Sequence, residues 1–217
     1  MLNPYFNISY AAPYRYDTIR ETDLSKKIFS VLLSIKEDRV PWISSLIQRM
    51  IERKLHEDIF SSFFGANVVL VPVPGHGVTV NEKTFTWPSR SICSELQKNK
   101  LAGSYVELVK RVQTVNKSAT SKSYERPSPN IHYDSIEIQE PRLVAIPGDT
   151  ILLVDDVITR GSTILGVARR IREALPNHKI MAFGLVLPAA DKNIKSLNHP
   201  QVGIVRVDTE GRPIREP

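Results

Sequence analysis

Three uninterrupted apolar runs constrain this chain more than any other feature: Val68-Val69-Leu70-Val71, Ile151-Leu152-Leu153-Val154, and Ile180 to Leu187. None shows the polar alternation of a strand with one face in water. Such runs form strands buried on both faces, and a sheet built from them needs a covering layer above and below. Helical spacing supplies the cover. Pro88 to Lys98 predicts one helix, with Pro88 suited to a first helical position. Ile164 to Leu175 predicts another, with Leu165, Ala168, Ile171 and Leu175 on one side. Val106 to Val112 and Val202 to Val207 read as further strands. Strands alternating with helices predict an α/β fold with a mostly parallel sheet flanked by helices.

The stretch up to about Phe64 reads as helical. Leu24, Ile28, Val31, Leu32 and Ile35 recur at helical spacing, Pro41 interrupts, and Leu46, Ile47, Met50, Ile51, Leu55 and Ile59 share a second face. This amphipathic pair needs a partner surface: the main domain or the second copy of a homodimer, rather than a membrane. The expected organisation is an N-terminal helical segment over 1–64, a candidate hood, followed by an α/β domain over 65–217. A chain of 217 residues is long enough for both.

Composition narrows the function classes. At 41% hydrophobic and 24% charged residues the chain matches an ordinary globular protein. No run approaches the roughly 20 uncharged residues of a membrane span. The lone Cys93 allows neither an internal disulfide nor a cysteine-built zinc site. Met1 to Tyr5 carries no basic patch leading into an apolar run, so a cytoplasmic location is expected. A net charge of +6 suits nucleic acid, a membrane surface or an anionic small molecule and does not choose among them. The five histidines are scattered without ligand spacing.

Ligands of open parallel sheets bind beyond the carboxyl ends of the strands. Two segments fall there: Val73-Pro74-Gly75-His76-Gly77 after the first apolar run, and Asp155-Asp156-Val157-Ile158-Thr159-Arg160-Gly161-Ser162-Thr163 after the second. The second offers two carboxylates at one end and a helix start at the other. Free backbone N–H groups and the helix dipole make that start an anion site. Gly161 permits close backbone approach, and Thr159, Ser162 and Thr163 add hydroxyl donors. A ribose 5-phosphate has the matching layout: cis hydroxyls to donate to carboxylates, and a phosphate to accept from the loop. The Gly-to-Lys-Ser/Thr spacing of a Walker loop is absent. Two other readings compete: the acidic pair of a response-regulator receiver, and an acidic turn that merely caps a helix.

The segment Ile151 to Thr163 resembles the signature of type I phosphoribosyltransferases. Val71-Pro72-Val73-Pro74-Gly75 is similar to the pyrophosphate loop of that superfamily, especially of its ComF-like branch. Leu108 to Thr114 and Arg126 to Asn130 follow the order of that branch. The chain departs from the pattern at Arg160, where the family usually has a small residue, and lacks the branch's Arg-Gly-Phe-Asn-Gln text and its N-terminal zinc cysteines. Purine-salvage members often carry Asp where this chain has Thr159.

The resemblance implies binding of 5-phosphoribosyl-1-pyrophosphate and Mg²⁺-dependent transfer of the phosphoribosyl group to a nitrogenous base or related acceptor. Asp155 and Asp156 would orient the ribose and help hold the metal. Val157, Thr159, Arg160, Gly161, Ser162 and Thr163 would hold the 5-phosphate, and Val73, Pro74 and Gly75 the pyrophosphate. The loop from Lys110 to Arg126, with Arg111, Lys117 and Lys122, would close over the substrate and bring cations to the departing pyrophosphate. No residue stands out as a general base. Trp87 could stack on a base or pack in the core. The rival class is a non-catalytic sensor that reads phosphoribosyl-pyrophosphate or a nucleotide and regulates a partner, with nucleic acid left open. A hood before Phe64 or after Pro188 would select the base.

Overall fold

The structure is a computed structural model that describes residues 6–17, 23–77, 86–115, 127–189 and 198–217. In chain order its elements begin with β1 (Ile8–Ala12), β2 (Tyr14–Asp17), α1 (Asp23–Lys36), α2 (Val40–Glu52), α3 (Leu55–Asp58) and β3 (Gly65–Pro72). Then come α4 (Pro88–Lys98), β4 (Ala102–Tyr105), β5 (Val109–Arg111), α5 (Pro129–Asp134), β6 (Ile136–Ile138) and a 3-10 helix (Glu140–Ala145). The chain ends with β7 (Thr150–Val157), α6 (Ser162–Ala174), β8 (Lys179–Ala189), β9 (Gln201–Val207) and β10 (Pro213–Glu216).

The three apolar runs lie side by side at the sheet centre, as expected of strands buried on both faces. The sheet order is β10-β9-β1-β8-β7-β3-β4, with β2 also on β8. Strands from β4 across to β1 are parallel, while β9 and β10 run antiparallel at one edge. Side chains alternate between faces along each strand. Leu70, Leu152, Val154 and Phe183 pack beneath α1, α2 and α4. Val69, Val71, Ile151, Leu153 and Ala182 pack beneath α6. Burying an aliphatic side chain is worth about 1.5–3 kcal/mol, so Ile164, Leu165, Val167, Ala168 and Ile171 fasten α6 firmly to its face.

The structure corrects the expectation of a helical stretch from the start of the chain to Phe64. Ile8–Ala12 and Tyr14–Asp17 are strands of the main sheet, and helix begins only at Asp23. Both strands hold one register along β8, from Tyr10 opposite Ala182 to Asp17 opposite Ala189, with a break at Pro13, which has no N–H for the ladder. The expected strand over Val106–Val112 is shorter, and the main-sheet strand lies before it. Ala102–Tyr105 joins the main sheet, whereas Val109–Arg111 pairs antiparallel with β6 in a separate ribbon. Pro41 opens α2 as a first-turn residue. Of the loop expected over Gln113–Asn130, residues 116–126 lie outside the described residues, and its end is already the first turn of α5. Among the described residues no helix is long and apolar enough to cross a membrane.

After β3 the chain passes through α4 to β4 on one side. After β7 it passes through α6 to β8 on the other. The carboxyl ends of β3 and β7 therefore flank a topological switch point, where a crevice opens in folds of this kind.

Candidate functional site

A crevice of about 440 Å³ opens there. Val73, Pro74, Gly75 and His76 line one wall; Asp155, Asp156, Val157, Ile158, Thr159, Gly161, Ser162 and Thr163 line the other. The two loops read from the sequence thus face each other across one cavity. Arg160 does not join them: it is exposed and outside the lining. Lys117 lies outside the described residues.

The β7 loop is shaped by its own backbone. Gly161 has φ +87°, and a Cβ there would come within 2.1 Å of Val205 Cγ1. Only glycine satisfies both the left-handed backbone and the contact with β9. Gly161 also caps α6 without any side-chain cap, so the amides of the first turn are not claimed by the residue before it. Arg215 on β10 donates to the Ile158 and Pro188 carbonyls, both at 2.6 Å, and ties this loop to the C-terminal edge of the sheet.

Asp155 and Asp156 stand at the end of β7. Asp155 Oδ1 accepts from the Asp156 N–H at 2.9 Å and lies 3.5 Å from Ser89 Oγ. Burial, and then the Asp156 charge beside it, push the Asp155 carboxyl well above the usual carboxylate range. Asp156 Oδ1 accepts from the Val157 N–H, and Oδ2 pairs with Lys36 Nζ at 3.1 Å. Two carboxyls thus crowd against one lysine, and that crowding favours a proton on Asp155 until a cation takes its place.

The opposite wall is held from behind. Arg111 is fully buried on β5, and its guanidinium donates to the carbonyls of Gly75 and Pro74 and to Ser135 Oγ. This corrects the expectation of Arg111 on a closing loop. Alternation along Val109-Lys110-Arg111 turns Lys110 outward and Arg111 inward, where it braces the loop. Burial lowers its pKa to about 10, with Asp155 acting in the opposite direction. Trp87, only 5% exposed, donates its indole N–H to the Val73 carbonyl at 2.8 Å. It therefore packs as a support. Among the described residues no peptide bond is cis, so Pro72 and Pro74 follow trans bonds.

Sequence reasoning missed Lys36, Tyr16, Ser89 and His132, all of which line the crevice. Lys36 and Tyr16 arrive from the N-terminal elements. His132 arrives on the short helix α5, whose local signals are Pro129 in its first turn and Ser128, an N-cap that accepts from the Ile131 N–H.

An open, mostly parallel sheet with two loops facing across its switch point defines an α/β protein of the kind whose ligands bind at such a crevice. The sequence model of the phosphoribosyl transferase domain matches residues 44–211, and the chain belongs to that family. No curated protein matches the chain.

The residues present fit a Mg²⁺ ion. Two adjacent carboxyls with a single lysine between them suit a cation that keeps several waters and takes one or two carboxylates together with substrate phosphate oxygens. Among the described residues no cluster of three or more His, Cys, Asp or Glu side chains could hold a metal. Asp155 and Asp156 would therefore hold it jointly with the substrate.

Proposed function

We propose that the chain binds 5-phosphoribosyl-1-pyrophosphate in this crevice and transfers the phosphoribosyl group to a nitrogenous base or related acceptor. One observation carries the reading. The carboxylate pair and the glycine-started helix of one loop face the Pro74-Gly75 loop across a single crevice of about 440 Å³. Asp155 and Asp156 take the ribose hydroxyls. Thr159, Ser162 and Thr163, with the first amides of α6, take the 5-phosphate. The Val73-Pro74-Gly75 backbone, braced by Arg111, takes the pyrophosphate. Asp155 and Asp156 would hold a Mg²⁺ ion, which would supply charge neutralisation for the departing pyrophosphate.

In the reaction the bond from the anomeric carbon to pyrophosphate breaks, and pyrophosphate leaves with the electron pair. The acceptor nitrogen forms the new bond and releases its proton to solvent. The residues of this chain position the reactants and stabilise charge. The N-terminal elements form part of the hood, since Tyr16 and Lys36 line the crevice. The order of Leu108–Thr114 and Arg126–Asn130 supports placement near the ComF-like branch, and a cytoplasmic role in nucleotide metabolism belongs to the same reading.

A second reading, a sensor of phosphoribosyl-pyrophosphate or a nucleotide, is favoured by the Lys36–Asp156 pair, which occupies one oxygen of the ribose carboxylates. Pyrophosphate release with Mg²⁺, phosphoribosyl-pyrophosphate and a panel of bases separates the two. Release with one base supports the transferase. Ligand-induced thermal stabilisation without release for any base supports the sensor.

A further inference from the structure

His132 touches both walls of the crevice from behind. Its Nδ1 lies 3.4 Å from Arg111 Nη2, and its Nε2 lies 3.4 Å from Thr163 Oγ1. Arg111 is the brace of the Pro74-Gly75 loop, and Thr163 lies in the first turn of α6. The approach depends on Gly166. A Cβ there would fall 2.7 Å from His132 Cβ and 2.7 Å from the Pro129 carbonyl oxygen. The bare backbone lets α5 lie against α6 about one turn beyond Thr163.

Proton accounting fixes the direction of these contacts. A guanidinium has donors and no acceptor, so His132 Nδ1 must accept from Arg111. Burial, then the Arg111 charge, lower the His132 pKa to about 4, and the ring is neutral at pH 7. A neutral ring that accepts at Nδ1 carries its proton on Nε2, and that proton points at Thr163 Oγ1. Thr163 is then an acceptor toward His132, and its own hydroxyl proton is left for the crevice that it lines.

We propose that His132 is a positioning residue that orients the Thr163 hydroxyl as a donor to a ribose 5-phosphate, its own tautomer being set by the arginine that braces the opposite loop. The inference rests on the proposed seat of the 5-phosphate in the β7 loop. It adds a link between the two anion loops that neither loop's sequence contains.

Two substitutions divide the ring's roles. His132→Asn keeps an acceptor near the Nδ1 position and removes the donor to Thr163. His132→Gln keeps a donor near Nε2. Calorimetric titration with ribose 5-phosphate is expected to show roughly tenfold weaker binding for His132→Asn, the lower end of the loss for one hydrogen bond to a charged group, because Thr163 keeps its hydroxyl and loses only its orientation. His132→Gln should recover most of that loss. Thr163→Val should weaken binding to a similar extent, and its combination with His132→Asn should be no worse than either alone, because both remove one interaction. Losses that multiply in the double variant, or a His132→Asn protein that binds as the wild type does, overturn the inference and leave the 5-phosphate seat standing. Wild-type protein that fails to bind ribose 5-phosphate overturns both. Imidazole ¹⁵N spectra of the unaltered protein give a reading that no folding defect can obscure. A neutral ring protonated at Nε2 is expected for His132, and a ring protonated at Nδ1 or on both nitrogens contradicts it.

Discussion

Lys36 Nζ lies 3.1 Å from Asp156 Oδ2, an ion pair between the last residue of α1 and a carboxylate 120 positions further along the chain. Burial acts to lower the lysine pKa, but the contact with Asp156 and the nearby Asp155 outweigh it and leave it raised. The ammonium stands where a ribose hydroxyl or a metal ion would approach. With 39% of its side chain exposed, Lys36 contributes little to stability, since such pairs are worth about 0–1 kcal/mol.

Lys36→Met is therefore expected to leave the melting temperature within about 4 °C of wild type. It should also tighten ribose 5-phosphate binding by up to roughly fivefold, the equivalent of freeing a pair worth about 1 kcal/mol. Calorimetry checks this. Weaker binding would make Lys36 a ligand contact and not a competitor.

Gly161→Ala meets two obstacles, the left-handed backbone and the Val205 side chain. The first costs roughly 1–2 kcal/mol and overpacking a further 1–3 kcal/mol. Denaturant unfolding should show a loss of about 2–5 kcal/mol. Adding Val205→Ala should cost less in the Gly161→Ala background than in wild type, because the methyl then has room. Fully additive losses would contradict the packing described.

Arg111→Met tests the brace. Removing the guanidinium takes the donor from the carbonyl of buried Pro74, and a buried unsatisfied group costs about 1–3 kcal/mol. Exposed Gly75 can turn to water, and Ser135 Oγ keeps its bond to the His132 carbonyl. The variant should melt several degrees lower, at about 2–4 °C per kcal/mol, and lose ligand affinity. An unchanged melting temperature with slower turnover alone would restore Arg111 to a closing loop.

His132 gives a pH signature. Its pKa is lowered to about 4 in the folded chain, from an ordinary value of about 6.5. Between those values the unfolded chain binds more protons, so stability rises with pH across the window and falls as pH drops from 6.5 towards 4. The difference is roughly 3 kcal/mol. Urea unfolding of wild type and His132→Gln from pH 4 to 7 should show that component in wild type alone. Parallel pH profiles would mean that the ring titrates normally.

The parts legible in the sequence are those decided within a few residues. Ile151–Val154 can only be a doubly buried strand, and Gly161 after two carboxylates announces a tight turn into α6. Helix α4 spans Pro88–Lys98, the range that its pattern predicts. The illegible parts depend on partners far away. Ile8–Ala12 is too short to show a period and becomes a strand because β8 and β9 flank it. Arg111, read among lysines and serines, looks solvated until β6 covers it. His132 owes its place to Gly166, which lies 34 positions later and bears no local mark of a contact. Lys36 ends α1 and meets Asp156 only once the fold brings β7 beside that helix.

The most direct test of the crevice is calorimetric titration of the wild type and of Asp156→Asn with 5-phosphoribosyl-1-pyrophosphate, with and without Mg²⁺. Wild type should bind one equivalent, more tightly with the metal. Asp156→Asn should bind about one to two orders of magnitude more weakly, since a hydrogen bond to a charged group contributes about 1.5–3 kcal/mol. No binding by wild type, or equal affinity in the variant, would contradict a ribose-phosphate site at the end of β7.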